Sequence, residues 1–332
     1  MRHPRWHRGV LVAMVAPALA FATATSATAA TYQPLSPSPC GTMSVDDGLA
    51  HQIDHVVWVV FENKARSVVF GDPTKDPYLG GLALACGQGS AYLATPFYGA
   101  KMAMASGSDW GITGDVAKVA GPDLYSQLGT DWMQYMGGMP SNCYGLNTKN
   151  QLYLAAHNAA AFFTDAADAC ATQDVPLPAT PAELDLSHKF TYIEANVPQS
   201  MHGCSKVCGK NKWAQLALGD AWAKVWIDAL VKTPEYLSGT TVIFVAWDQS
   251  TAMAGNRAAF ITVSPYTTPG QVSRVGYTHY SLLRGTQDLL GLDPLGHAAD
   301  PTTNSVANDF GLPYPAVVPP PLASPRRHRS SR

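Results

Sequence analysis

His55-Val56-Val57-Trp58-Val59-Val60-Phe61, followed at once by Glu62-Asn63, is the stretch from which the fold can be read. After His55 come six apolar residues without a break, four of them valine. That is the pattern of a strand covered on both faces, not the alternation of a half-exposed one. Thr240-Thr241-Val242-Ile243-Phe244-Val245-Ala246-Trp247, ending in Asp248-Gln249, repeats it. Ala258-Ala259-Phe260-Ile261-Thr262-Val263, stopped by Ser264-Pro265, gives a third such run, read like the others as a parallel strand. Helical stretches at 98–105, 219–231 and 279–290 alternate with these runs. The alternation predicts an α/β fold: a layered domain with a mostly parallel central sheet flanked by helices. In such sheets ligands bind beyond the carboxyl ends of the strands. Glu62 and Asp248 stand there, each followed by a carboxamide, Asn63 and Gln249. Oxygen-rich clusters of this kind suit a divalent cation. Acids at these positions serve equally well as caps of the turn after each strand, and spacing alone does not decide between the two.

Composition narrows the class. Of 332 residues, 46% are hydrophobic and 14% charged, so the chain can bury a core and is not intrinsically disordered. The net charge of −2 hides an asymmetry. Arg2, Arg5 and Arg8 at one end, and Arg326, Arg327, Arg329 and Arg332 at the other, have no acid near them. Removing these seven from the 22 basic residues leaves 15 against 24 acidic ones, a charge of −9 for the body. An acidic body argues against gripping a phosphate backbone, so no nucleic-acid partner is expected.

The first 30 residues have the form of a secretory signal peptide. Three arginines precede an apolar core from Val10 to Ala22, and Ala27-Thr28-Ala29-Ala30 offers small residues for cleavage after Ala29 or Ala30. The apolar core is well short of the roughly 20 residues needed to span a bilayer, so no transmembrane segment is expected. Residues 31–49 are rich in Pro, Ser and Thr and read as a linker. The domain proper runs over 50–312, and 313–332, with Pro319-Pro320-Pro321 and four arginines, reads as a disordered tail. All six cysteines (Cys40, Cys86, Cys143, Cys170, Cys204 and Cys208) follow the cleavage site, which suggests up to three disulfides in a secreted, extracellular protein. Cys204 with Cys208 closes a small loop, and Cys143 with Cys170 staples an insertion. A zinc site at Cys204-x3-Cys208 is the weaker alternative, lacking a second matching pair.

Several motifs, taken in order, resemble the bacterial phosphoesterase family, which includes acid phosphatases and phospholipase C-like enzymes of the alkaline-phosphatase-like superfamily. They are Glu62-Asn63 with Phe70-Gly71, Pro77-Tyr78-Leu79 with Leu82-Ala83, and Ser106-Gly107-Ser108 with Gly111-Ile112-Thr113-Gly114-Asp115. His157-Asn158, Asn196 with Met201-His202, and Gly219-Asp220-Ala221-Trp222 follow, then Trp247-Asp248-Gln249 and the run from Tyr280 to Leu292. The resemblance covers roughly residues 50–312. It implies an alkaline-phosphatase-like fold and hydrolysis of a small phosphate ester or lipid phosphoester. It also implies a divalent metal ion held by Glu62, Asn63 and Asp248, with Gln249 a neutral ligand and His202 in or near the site. The metal would neutralise charge on the ester while a hydroxyl at a helix N-terminus attacks phosphorus.

The sequence departs from that pattern where the chemistry is concentrated. The nucleophile position falls on Phe97, which has no oxygen. The histidine two residues earlier is Thr95, and the second acid after the 240–247 strand is Gln249. The acid after Met201-His202 is Gly203, and Asn256-Arg257 stand where a downstream histidine is expected. Thr95, just before Pro96, could cap a helix with proline at its first position and so substitute as nucleophile, or cap and no more. Lys101 could hold a phosphate where a metal once sat, but a lysine on a helix is ordinarily solvated. His157 and His279 read as hydrogen-bonded structural histidines. Two functions stay open: a secreted, metal-assisted phosphoesterase impaired by Phe97, or a pseudoenzyme of the same fold that binds a ligand, metal or partner.

Overall fold

A computed structural model describes residues 30–45, 51–203, 211–250 and 255–313. The strands are β1 (His55–Phe61), β2 (Gly87–Tyr92), β3 (Trp132–Met136), β4 (Asp174–Pro176), β5 (Phe190–Glu194), β6 (Thr241–Trp247), β7 (Phe260–Val263) and β8 (Gln271–Tyr277). The helices are α1 (Arg66–Val69), α2 (Pro77–Ala85), α3 (Ala100–Ser106), α4 (Leu124–Leu128), α5 (Ala167–Gln173), α6 (Lys212–Leu230), α7 (Pro234–Leu237) and α8 (His279–Leu290). The strands form one eight-stranded sheet in the order β4-β3-β5-β1-β6-β7-β2-β8.

β1 lies near the centre, parallel to β5 on one side and β6 on the other. Its side chains show why the run is unbroken. Trp58 donates from Nε1 to Thr286 Oγ1 of α8 at 2.9 Å. Phe61, three residues on and therefore on the opposite face, packs edge-on against Trp222 of α6. With helices on both faces, no position of β1 past His55 reaches solvent. β6 is likewise buried along its whole length.

The third run differs in direction. β7 pairs antiparallel with both β6 and β2, so the sheet is mixed although mostly parallel. An apolar run reports burial on two faces and carries no sign for the strand's direction. Five strands escaped the sequence reading. Among them β8 alternates buried and exposed positions, and β2 is built largely from Gly, Gln and Ser.

The stretch expected as a linker at 31–49 is, over residues 31–45, held against the domain. Tyr32 donates to Asp76 at 2.6 Å, Leu35 N to Gly81 O at 3.2 Å, and Ser38 Oγ to Ala85 O at 2.8 Å. The Tyr32 ring lies so close to Gly80 of α2 that any Cβ there would overlap it. A disulfide from Cys40 to Cys86, with Cα atoms 5.2 Å apart, fixes the segment at the end of α2. A second disulfide joins Cys143 to Cys170, as the spacing suggested. Cys204 and Cys208, residues 1–29 of the signal peptide expected at 1–30, and residues 314–332 of the expected tail lie outside the described residues. Among the described residues no helix is long and apolar enough to cross a membrane.

The Cys40–Cys86 bond closes a separation of 46 residues, which constrains the unfolded chain by about 4 kcal/mol in the loop-entropy model. Cys40→Ser/Cys86→Ser is expected to lower the urea-unfolding free energy by an amount of that order. An unchanged midpoint would mean that the hydrogen bonds alone hold the segment.

Candidate functional site

Three acids converge at one rim of the sheet because three neighbouring strands end together. Glu194 is the last residue of β5, Glu62 follows β1, and Asp248 follows β6. The register pairs Val60 with Glu194 and Phe61 with Trp247, which puts the acids side by side. Backbone bonds pin the rim: Glu62 N donates to Ser200 O at 2.8 Å and Asp248 N to Phe61 O at 3.0 Å. Asn63 takes φ +39°, a left-handed turn that asparagine tolerates, and donates to Glu62 Oε2 at 3.4 Å.

α3 closes the rim from above. Gly99 at its N-cap has φ +61°, and its N–H meets Gly114 O at 3.0 Å. All seven residues of the helix are buried, Lys101 among them. Far from being solvated, Lys101 is 4% exposed and aims its ammonium into the acids. Nζ lies 2.5 Å from Glu194 Oε2, 3.0 Å from Glu62 Oε1, 3.0 Å from Tyr192 Oη and 3.9 Å from Asp248 Oδ2. His157, expected to be structural, stands in the same cluster, with Nδ1 2.7 Å from Glu194 Oε1 and Nε2 3.6 Å from Glu62 Oε1. Its ring is 5.0 Å from that of His202.

Of these groups Glu62, Lys101, His157, His202 and Asp248 line a cavity of about 150 Å³, together with Asn63, Gln249 and Asp115. The structure thus brings Glu62, Asn63, Asp248, Gln249 and His202 to one place. Gln249 points its amide at Phe97 O, 2.8 Å away. Thr95 stays outside: α3 starts five residues later with Gly99 as its cap, so Thr95 is neither a helix cap nor part of the cavity wall. Phe97 is 41% exposed and packs edge-on against Tyr98 instead of entering the cavity.

The charges compensate one another. Burial would strip the proton from Lys101, but Glu194 and Glu62 hold its affinity well above the ordinary lysine range. Burial would also raise Glu62, yet His157, Lys101 and His202 keep it well below the usual carboxylate range. Asp248 goes the other way, pushed up by burial and by the neighbouring Glu62 charge. Distance explains the split, since the ammonium is 3.0 Å from Glu62 and 3.9 Å from Asp248. His157 is raised, because Glu62 and Glu194 outweigh its burial. His202 is lowered, chiefly by burial. Lys64, two residues past Glu62, is lowered by burial to about 8 and donates to Met201 O at 2.5 Å.

Glu62, His157 and His202 offer ligand atoms within 4.8 Å of one another, a spacing open to a metal ion. The Lys101 ammonium opposes a divalent one. An ion at contact distance from Glu62 Oε1 would stand within about 5 Å of that ammonium. Their repulsion is then about 7 kcal/mol at an effective dielectric constant near 20. Lys101 therefore competes with a divalent ion for the same acids.

Solved structures place this arrangement in a known architecture. Phosphonate monoester hydrolase of Agrobacterium radiobacter is similar over 79% of this chain and 78% of its own, with a TM-score of 0.50 and 10% identity. A protein in the alkaline phosphatase superfamily from Vibrio parahaemolyticus matches over 82% and 76%, with a TM-score of 0.47 and 11% identity. The lipoteichoic acid synthase LtaP of Listeria monocytogenes matches over 84% and 78%, with a TM-score of 0.48 and 10% identity. The chain has an alkaline-phosphatase-like fold. At such identities the likeness speaks for architecture alone. No family model and no curated protein matches the chain.

Sequence reasoning missed Glu194, took His157 as structural and set Lys101 aside as ordinarily solvated. Glu194 carried the same signal as the other acids, because Phe190-Thr191-Tyr192-Ile193 is a β-prone run ending in an acid. Lys101 carried none, since a charge on a short helix gives no hint of burial.

His279 supports the rim from below, donating from Nε2 to Asp248 O at 2.7 Å and accepting at Nδ1 from Tyr92 Oη at 2.9 Å. This is the neutral ring, and burial lowers its pKa to about 4. Between pH 6.5 and 4 the unfolded chain takes up a proton that the folded one refuses, so stability falls as pH drops through that window. The loss is about 3 kcal/mol in order of magnitude. His279→Gln is expected to flatten the acid side of the curve in urea melts at pH 7 and pH 4.5. An unaltered slope would assign the acid sensitivity elsewhere.

Proposed function

We propose that this chain is a secreted relative of phosphate- and sulfate-ester hydrolases that has kept their frame and lost covalent catalysis. One observation carries the reading: among the described residues, none lining the cavity is a serine, threonine or cysteine. An ester hydrolase that works through a covalent intermediate needs such a group beside its electrophile, and losing it costs many powers of ten in rate. Phe97, at the position expected for the nucleophile, faces solvent. Thr95 does not reach the cavity. What remains is a small polar pocket in which Lys101, His157 and His202 face Glu62, Asp115 and Asp248. It suits binding of a small polar group of mixed charge, such as the headgroup of a phosphoester or lipid phosphoester, without turnover.

Secretion is part of the proposal, supported by the arginine-led apolar N-terminus and by the two disulfides. The mature protein then starts at Ala30 or Thr31. Because residues 31–45 are fastened to α2, we assign them to the domain and not to a linker.

The mature protein, made with its disulfides, is expected to leave p-nitrophenyl phosphate, bis(p-nitrophenyl) phosphate and p-nitrocatechol sulfate unhydrolysed. Added magnesium, manganese, calcium or zinc is expected to change nothing. Turnover abolished by His202→Ala or Glu62→Ala would overturn the reading and reveal a hydrolase that uses activated water. Turnover abolished by Thr95→Ala would restore that residue as nucleophile.

A further inference from the structure

We infer that the Lys101 ammonium is a tethered cation that takes the place of a divalent ion among Glu62, Glu194 and Asp248, and that removing it opens a latent metal site. The geometry is that of a coordinated cation. The ammonium hydrogen-bonds Glu194 Oε2 at 2.5 Å and Tyr192 Oη at 3.0 Å and pairs with the Glu62 Oε1 charge at 3.0 Å. Asp248 stands farther off, at 3.9 Å, and its Oδ1 has no hydrogen-bond partner. His157 Nε2, also buried, has none either. Without the lysine side chain, carboxyl oxygens from three adjacent strands and one imidazole nitrogen surround an emptied volume. Such a set of hard oxygen donors with one nitrogen accepts manganese, calcium or zinc.

The position is built into the backbone. Lys101 is the second residue of α3, two residues past the left-handed Gly99, and α3 is buried on every side. The ammonium therefore cannot swing out to water as a surface lysine does, and a divalent ion must compete with a charge it cannot displace.

The inference deepens the non-catalytic reading of the same cavity, and its test reads metal uptake and not turnover. Equilibrium dialysis of the mature protein against Mn²⁺, Ca²⁺ and Zn²⁺ is expected to show no stoichiometric uptake at micromolar metal. Lys101→Ala is expected to take up one equivalent at least 100-fold more tightly than wild type, with a melting temperature that rises in metal and falls in EDTA. Lys101→Arg keeps the charge and is expected to go on excluding metal. Adding Glu194→Gln to Lys101→Ala is expected to weaken the new site. If Lys101→Ala does not fold alone, its refolding is titrated with Mn²⁺, and metal-dependent recovery supports the inference. Failure in every metal, or a wild type that binds one equivalent, overturns it. A wild type that binds metal but hydrolyses nothing sinks this inference and spares the proposed function. Metal-free turnover does the reverse.

Discussion

An ammonium taken out of water and set among the acids of three parallel strands is the constraint on which the rest of this structure depends. Isolated, a buried lysine charge costs several kcal/mol, and so do the carboxylates it meets. Each is tolerable only with the others in place. That demand fixes several parts of the fold at once. β5, β1 and β6 must end level, so that Glu194, Glu62 and Asp248 share one rim. α3 must approach closely enough for Lys101 to reach them, which the Gly99 turn permits. Tyr192 and His157 must supply the remaining partners. Losing any one member would leave a buried charge uncompensated, which costs more than the intact cluster contributes.

The balance also sets what the cavity can attract. A pocket for an anionic ester works by surplus positive charge, from metal ions or arginines, placed where negative charge develops. Here the positive groups are spent internally. Lys101 is committed to Glu194 and Glu62, and His157 lies against the same two residues. Burial first, and then the Glu62 charge in the nearer place beside the ammonium, raises the proton affinity of Asp248. The field at the floor is thus close to self-cancelled, which favours a headgroup carrying both charges over a bare phosphate.

How much of this was legible in the sequence follows from what each signal encodes. The unbroken runs of β1 and β6 report burial on two faces, and that sufficed to place Glu62 and Asp248 at strand ends. The same kind of run in β7 was silent on direction, so the antiparallel strand was not foreseen. β5 was readable in principle. It is five residues long, and its polar Thr191 and Glu194 are buried by partners far away in sequence, which diluted the apolar signal. α3 defeats pattern reading for the opposite reason. With every residue buried it has no polar face, so Lys101 stood out as a lone charge, and lone charges are ordinarily solvated. Thr95 was misplaced because Thr-Pro has the form of a helix start, whereas the helix waits for the left-handed glycine four residues on.

The frame and its chemistry are therefore separable in this chain. A parallel sheet with level strand ends makes a rim whatever residues stand there, since the rim is a property of topology. Whether it holds a divalent ion, a lysine or water depends on the two or three side chains that reach it, and these change without disturbing the strands beneath. Phe97 illustrates the point. Its position is the one where the resemblance expects a nucleophile, yet its ring turns outward to Tyr98, and only its carbonyl is used, by Gln249. The cavity is not blocked by a bulky replacement. Among the described residues no hydroxyl or thiol lines the cavity, and a positive charge from one turn further along the same segment occupies the floor. Preserving the fold requires only that the charge of the rim acids be compensated, and one lysine on a buried helix meets that need.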